Sequence, residues 1–256
     1  MFNFEIAIPS YGRADILPRK TLKLLLDFGV PIDKILIFLR DEHELKEYQK
    51  TCGKAFRFHL TGQSGIMATR NYLQVHYHES TNFDGVVFLD DDITKFLAMD
   101  KPIDMGFLDL MNYFFLETQK RNARLWGVSA LNNSFYQSDT ISENLKYIIG
   151  AFKGLILDRT RDTILCDIGH FEDMAFTCEY FLEDKKVIRF NKYGITSKYF
   201  ELQGGICGEL GGMEERQKEM DENGEYMCER YGDMVKIKMK KWGTDLRLNY
   251  RFNMDE

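Results

Sequence analysis

Val86-Val87-Phe88-Leu89-Asp90-Asp91-Asp92 is the stretch whose reading decides the fold. Four consecutive apolar residues, bounded on both sides, predict a short strand buried on both faces. Strands of that kind belong to sheets covered by helices, and open α/β sheets collect ligands beyond the carboxyl ends of their strands. Here that end carries three carboxylates. Alternation along a strand sends Asp90 and Asp92 to one face and Asp91 to the other. Two like charges crowded at a buried strand end repel each other, and a hard dication with oxygen ligands relieves the repulsion. Mg²⁺ and Mn²⁺ commonly bind through one or two carboxylates plus phosphate oxygens. Asp90 and Asp92 are therefore the candidate metal ligands. The competing interpretation of D-x-D alone is a solvated acidic turn.

Reading outward, the same pattern repeats upstream. Phe4 to Ile8 is an apolar run ended by Pro9-Ser10-Tyr11-Gly12. A helix is expected from about Leu17 to Phe28, stopped by Gly29 and Pro31. Lys34 to Leu39 reads as a second buried strand, Asp41 to Lys50 as a polar helix, and Phe56 to Leu60 as a third strand. A further helix starts near Ile66 and runs to about His76. Strand and helix thus alternate up to the triplet, which predicts an α/β chain with a mostly parallel central sheet flanked by helices. Downstream, a helix is expected over Gly106 to Asn122 and a strand over Trp126 to Ala130. Asn132 to Asn144 reads as a polar loop. Tyr147 to Leu157 reads as a strand bent or bulged at Gly150 and Gly154. Phe171 to Leu182 reads as a helix and Val187 to Phe190 as a strand. From Gly204 to Gly212 the chain is glycine-rich, then comes a charged helix, Glu214 to Tyr231, and the basic segment Lys236 to Lys241. The expected division is a main domain over 1–203 and a smaller extension over 204–256 packed on it.

Composition excludes several classes. The 256 residues carry a formal net charge of -6. Proteins that coat nucleic acid are usually basic, so only a local strip such as Lys236 to Lys241 remains open to that use, against the plainer alternative of a solvated charged face. Five widely spaced cysteines without a C-x-x-C pair argue against zinc and for reduced thiols in a cytoplasmic protein. No signal-peptide pattern and no long apolar run is present, so no membrane association is expected. G-x-G-x-x-G and G-x-x-x-x-G-K-[ST] are both absent, which disfavours a dinucleotide cofactor and a Walker-type NTPase.

Three further groups of residues join the triplet. Pro9, Ser10, Tyr11 and Arg13 leave the first strand toward the same sheet edge. There Tyr11 is suited to stack on a base, and the Arg13 guanidinium to meet a phosphate. Gly65 opens a helix whose free N–H groups and dipole favour an anion, with Arg70 in its first turns. Glu172-Asp173 begins another helix, where the pair either caps the helix or supplies a general base. His170 reads as a helix-start hydrogen bonder rather than a ligand.

These pieces, in this order and over about 190 residues, resemble the GT-A glycosyltransferase fold. More narrowly, Ile8-Pro9-Ser10-Tyr11-Gly12-Arg13-Ala14-Asp15-Ile16-Leu17 and the block from Gly65 to Tyr72 resemble the TET/JBP-associated glycosyltransferases. Those are phage, viral and protist enzymes similar to base J glucosyltransferase. The resemblance implies a UDP-sugar donor with Mn²⁺ or Mg²⁺, and DNA bearing hydroxymethylated pyrimidines as acceptor. By the same resemblance, Asp90 and Asp92 hold the metal, and Asp41 contacts uracil or ribose. Asp91 belongs with Pro9, Ser10, Tyr11, Gly65 and the two arginines on the donor side. Asp173, with Glu172 as second candidate, takes the acceptor's proton. The rival readings are a GT-A enzyme acting on a glycan, lipid or protein, a nucleotidyltransferase, and a non-enzymatic binding module.

Overall fold

The computed structural model of the chain describes residues 1–80, 82–197, 213–240 and 243–252. Four parallel strands form one half of the sheet: β1 (Phe4–Pro9), β2 (Ile35–Leu39), β3 (Arg57–Leu60) and β4 (Gly85–Leu89), in the order β3-β2-β1-β4. Past β4 the sheet is mixed. β8 (Phe152–Ile156) runs antiparallel between β4 and β6 (Leu125–Ser129), and β9 (Ile188–Thr196) follows parallel to β6. β5 (Lys95–Ala98) and β7 (Ile141–Ser142) both pair antiparallel with β9. The carboxyl ends of β1, β2, β3, β4, β6 and β9 therefore all open on one edge.

Helices cover both faces. α1 (Thr21–Asp27), α2 (Glu42–Cys52) and α4 (Phe107–Lys120) bury Leu22, Leu25, Tyr48 and Phe114 on one face, against Ile6, Ile8, Val87 and Leu89. α3 (Ile66–Glu79), α5 (Glu172–Asp184) and α6 (Met213–Tyr231) cover the other with Leu73, Tyr77, Phe176, Met227 and Tyr231, against Ala7, Val86 and Phe88. Alternation along β1 and β4 explains why neighbouring residues serve opposite cores. Each large apolar side chain buried in this way contributes about 1.5–3 kcal/mol. The antiparallel hairpin of β10 (Val235–Lys240) and β11 (Gly243–Leu248) packs on α6, with Val235 and Leu246 completing the second core.

Several sequence expectations need correction. Tyr147 to Leu157 is not one bent strand: pairing begins only at Phe152 and runs in unbroken register with β4. Gly154 marks no bulge. It faces Trp126 across the sheet, and a Cβ there would lie 2.1 Å from the indole. The bulge occurs instead in the β6–β9 pairing, between Val128 and Ser129. β9 runs six residues past Phe190, because β5 gives it a partner that periodicity alone did not reveal. Residues 236–240 of the basic segment, where the sequence pattern predicts no element, lie in strand β10. The glycine-rich stretch, Gly204 to Gly212, and Cys207 lie outside the described residues. Cys52, Cys166, Cys178 and Cys228 are free thiols. Among the described residues, no helix is long and apolar enough to cross a membrane.

Candidate active site

β4 ends at Leu89, so the triplet is a turn and strand alternation does not govern it. Asp90 N–H donates to the Ala151 carbonyl at 2.9 Å, the last tie to the sheet. The buried Thr21 hydroxyl then clasps the turn, donating to the Asp90 carbonyl at 2.7 Å and accepting from Ile93 N–H at 2.9 Å. The three carboxylates consequently diverge into different surroundings.

Asp91, expected on the face away from its neighbours, is buried against the first strand's exit. Ser10 Oγ donates to it at 2.5 Å and Arg13 Nη1 at 2.8 Å. Burial pushes its carboxyl up to about 6, against the opposing pull of Arg13 and Ser10. Asp92 is buried too, with its carboxylate 4.0 Å from Arg13 and hydrogen-bonded by Ser197 at the end of β9. Asp90 keeps a more open side chain and accepts from Arg70 Nη2 at 2.6 Å. Tyr48 OH lies 2.7 Å from Ser10 Oγ and accepts from Arg13 N–H, and Glu44 accepts from Gly12 N–H, so α2 fixes the loop after β1. Pro9 closes β1 and delivers Ser10 to this point.

Tyr11 carries the Arg40 guanidinium 4.2 Å from its ring centroid. Arg40 also pairs with Asp41 at 2.9 Å. Asp41 caps α2 through His43 and Glu44 N–H, and these bonds hold its carboxyl below the usual range. Tyr11, Arg40 and Asp41 thus form a polar and aromatic corner beside the Arg13–Asp91 pair. Gly65 stands at the head of α3 with φ +81°, a conformation that favours glycine, and no side chain caps the helix. That leaves first-turn N–H groups aimed toward the same sheet edge.

α5 brings Glu172-Asp173 to this edge. Gly150 shows how close the groups come: a Cβ on it would lie 3.2 Å from Asp173 Cβ and 3.4 Å from both Arg70 Nη2 and Glu172 Oε1. Phe171, just before them, sits in the left-handed region at φ +66°, a costly conformation for an aromatic residue and one concentrated at functional sites. Asp173 is held from three directions: Tyr147 OH and Gly150 N–H donate to Oδ2, and Met174 N–H donates to Oδ1. Glu172 is held more loosely, 4.0 Å from Arg70 Nε. Burial and the neighbouring Asp173 push its carboxyl upward. His170 lies 3.4 Å from Glu219 on α6.

Periodicity passed over several members of this cluster. Lys153 on β8 is buried, with its ammonium 4.5 Å from the Phe176 ring centroid. Burial and nearby Arg70 depress its pKa. A lysine inside the apolar run Phe152 to Leu155 was the one available signal. Tyr147, Thr21, Tyr48 and Ser197 had none, because each acts through a long-range contact.

The residues fit a dication in a limited sense. Among the described residues, no three metal-ligating side chains are gathered as a closed cage. Asp90 presents a partly open carboxylate, and Asp92 lies two residues on in the same turn. A pair of that kind suits an ion that takes its remaining ligands from a phosphate and water.

No protein-family profile and no curated protein matches the sequence. Solved structures do match. The chain superposes on the mannosyltransferase PcManGT from Pyrobaculum calidifontis, solved with GDP-Man and Mn²⁺. The TM-score is 0.54 and the identity 12%, covering 87% of this chain and 64% of that one. It superposes on S. aureus TarS 1-349, solved with UDP-GlcNAc, with TM-score 0.53 and 14% identity, over 88% of this chain and 66% of the other. It also matches glucosyl-3-phosphoglycerate synthase from Mycobacterium tuberculosis, solved with Mn²⁺, UDP and phosphoglyceric acid. There the TM-score is 0.51 and the identity 12%, over 96% and 86% of the two chains. The chain has the GT-A fold. It spans just under two thirds of the length of the mannosyltransferase and TarS chains it matches.

Proposed function

We propose that this protein is a glycosyltransferase that moves a sugar from a UDP-sugar, with Mn²⁺ or Mg²⁺, onto the hydroxymethyl group of a modified pyrimidine in DNA. One observation carries the transferase reading: the triplet and Glu172-Asp173 converge on Arg70 and Gly150 at the carboxyl edge of a GT-A sheet. Nucleotide-sugar and metal complexes of the structural neighbours support the donor class. The DNA acceptor rests on the sequence resemblance.

In this reading Tyr11 stacks on the uracil, while Asp41 contacts uracil or ribose. Arg13 orients Asp91 and Asp92, and Arg70 orients Asp90. The α3 N-terminus and Arg70 favour the diphosphate. Asp90 and Asp92 would hold the dication, which when bound supplies Lewis-acid neutralisation of the departing diphosphate. Asp173 takes the proton of the acceptor hydroxyl as that oxygen bonds to the anomeric carbon. The bond from that carbon to the diphosphate oxygen breaks, and UDP carries away the electron pair. Tyr147 and two backbone N–H groups hold the Asp173 carboxylate in place for this step. The outcome is inversion at the anomeric carbon.

The test is incubation with Mn²⁺ and a panel of UDP- and GDP-sugars, following donor hydrolysis and then transfer to hydroxymethylcytosine or hydroxymethyluracil DNA. Release of UDP with sugar on the DNA is the expected result. Pyrophosphate release would support a nucleotidyltransferase instead. Donor hydrolysis with DNA left unmodified would move the acceptor to a glycan, lipid or protein.

A further inference from the structure

The solvent face of the β10–β11 hairpin concentrates positive charge on an acidic chain. Antiparallel register sets Lys236 directly opposite Arg247 and Lys238 opposite Asp245, so these four share one face. The opposite face carries Val235, Leu246 and Leu248 toward α6. Lys236, Lys238 and Arg247 are exposed. Among the described residues none of the three is in an ion pair. Lys236 and Arg247, two cations directly across a ladder, destabilise it, whereas Lys238 faces the opposite charge of Asp245.

The strip continues past the end of β11. Tyr250 is 55% exposed, with Lys146 Nζ 5.9 Å and the Arg251 guanidinium 5.7 Å from its ring centroid. Asn144 donates to the Tyr250 carbonyl at 2.7 Å, tying this turn to the segment that also carries Tyr147 of the candidate site. Asn249 N–H donates to the Met234 carbonyl, so the turn lies at the Lys236–Arg247 end of the hairpin. An exposed aromatic ring between cations, next to a row of unpaired cations, has the chemistry of a single-strand platform: phosphates on the cations and a base stacked on the ring.

We propose that Lys236, Lys238, Arg247, Arg251 and Tyr250 form a contact surface for a nucleic-acid strand, with phosphates along the hairpin and one unstacked base on Tyr250. The inference deepens the acceptor reading above and rests on it. Lys236 and Lys238 stand about 7 Å apart along the strand, so each meets its own phosphate. On a chain with a net charge of -6, a local row of exposed cations gives a polyanion a favourable approach.

The experiment is fluorescence anisotropy of a labelled single-stranded oligonucleotide of roughly 16 residues over a range of salt concentrations. Inorganic polyphosphate serves as competitor, and donor hydrolysis is measured in parallel to report an intact fold. Lys236→Ala/Lys238→Ala is expected to flatten the log–log salt slope by about 1.4, two contacts at about 0.7 each. Tyr250→Ala is expected to weaken oligonucleotide binding by about fivefold or more while leaving polyphosphate binding unchanged. Unchanged affinity and slope in the triple variant Lys236→Ala/Lys238→Ala/Tyr250→Ala would overturn the inference. So would polyphosphate binding as tight as DNA binding with no effect at Tyr250. Failure of the acceptor reading looks different: the oligonucleotide binds through the strip, yet no donor glycosylates DNA. Conversely, full-rate glycosylation of DNA by the triple variant sinks the strip and leaves the acceptor reading standing.

Discussion

Arg70 Nη2 lies 2.6 Å from Asp90 Oδ1, joining an arginine that is only 3% exposed to the most open carboxylate of the triplet. Glu172 lies 4.0 Å from Nε of the same guanidinium, and Asp173 is close enough to act on its charge. Arg70 therefore links the proposed donor side to the proposed base. Because its charge is buried, it depends on these partners, and removing one partner of a buried pair typically costs about 3–5 kcal/mol. Asp90 is partly open to solvent, which discounts that figure. Asp90→Asn is expected to lower unfolding free energy by about 1–3 kcal/mol, the cost of a lost charge-assisted bond. It should also abolish Mn²⁺-assisted UDP binding. Urea titration and calorimetry check the two effects separately. Tight cation-dependent UDP binding by the variant would remove Asp90 from the donor site.

The division of labour between Asp173 and Glu172 is read by a pair of variants. Asp173 is oriented by three hydrogen bonds, whereas Glu172 is held chiefly by charge. Asp173→Asn is expected to lower kcat by ~10²–10⁴-fold with UDP affinity unchanged, the usual contribution of a general base. Glu172→Gln is expected to have the smaller effect on kcat. Single-turnover transfer and UDP titration measure the two quantities. The reverse ranking would give the proton to Glu172, and near-normal turnover in both variants would leave the reaction without a base from α5.

At the opposite end of the sheet, His59 and His76 lie with ring centroids 4.6 Å apart. They line a cavity of about 450 Å³ with Glu5, Arg57 and Phe83. His59 Nε2 is 2.7 Å from Tyr72 OH. Burial lowers the pKa of both rings, and for His76 the neighbouring His59 adds to it. A lowered folded-state pKa means that the unfolded chain takes the proton first. Stability is then fully present above the unfolded value, about 6.5, and is lost as pH falls through the folded values. Between pH 7.5 and 5 the wild type is therefore expected to lose urea resistance relative to His59→Gln/His76→Gln, the raised carboxyls of Asp91 and Glu172 being common to both proteins. Parallel curves for the two proteins would contradict the assignment.

The parallel half of the molecule was legible because β1, β2 and β4 are largely continuous apolar runs and because α1 and α2 end at glycines, Gly29 and Gly53. The other half was harder to read for a physical reason. β5 and β7 are too short to show a period, and beyond Phe190 β9 is held by pairing with β5 and, at Gly194, with β6. In the candidate site, the four signals at Ser10 to Arg13, Arg70, the triplet and Glu172-Asp173 do converge. The conformation of the triplet did not follow from strand alternation. It is set by Thr21 and Ala151, whose contacts cross 69 and 61 positions of chain and leave no local trace.

Gly150 offers the sharpest steric test of that convergence. The residue sits between β4's carboxyl end and α5, and its N–H donates to Asp173 at 3.2 Å. An added Cβ would meet Asp173 Cβ at 3.2 Å, tighter than most real contacts, and would come into van der Waals contact with Arg70 and Glu172 at 3.4 Å. Asp173 must give by a few tenths of an ångström, and it belongs to the candidate machinery rather than to the apolar core. Gly150→Ala is therefore expected to cost little stability, on the order of 1 kcal/mol, as mild overpacking does. Its effect on turnover should be disproportionate, approaching the ~10²-fold loss that small misplacements of reacting groups bring. Thermal unfolding and kcat measured on the same preparation decide the matter. A variant as active as the wild type would mean that the groups around Gly150 are structural neighbours and nothing more.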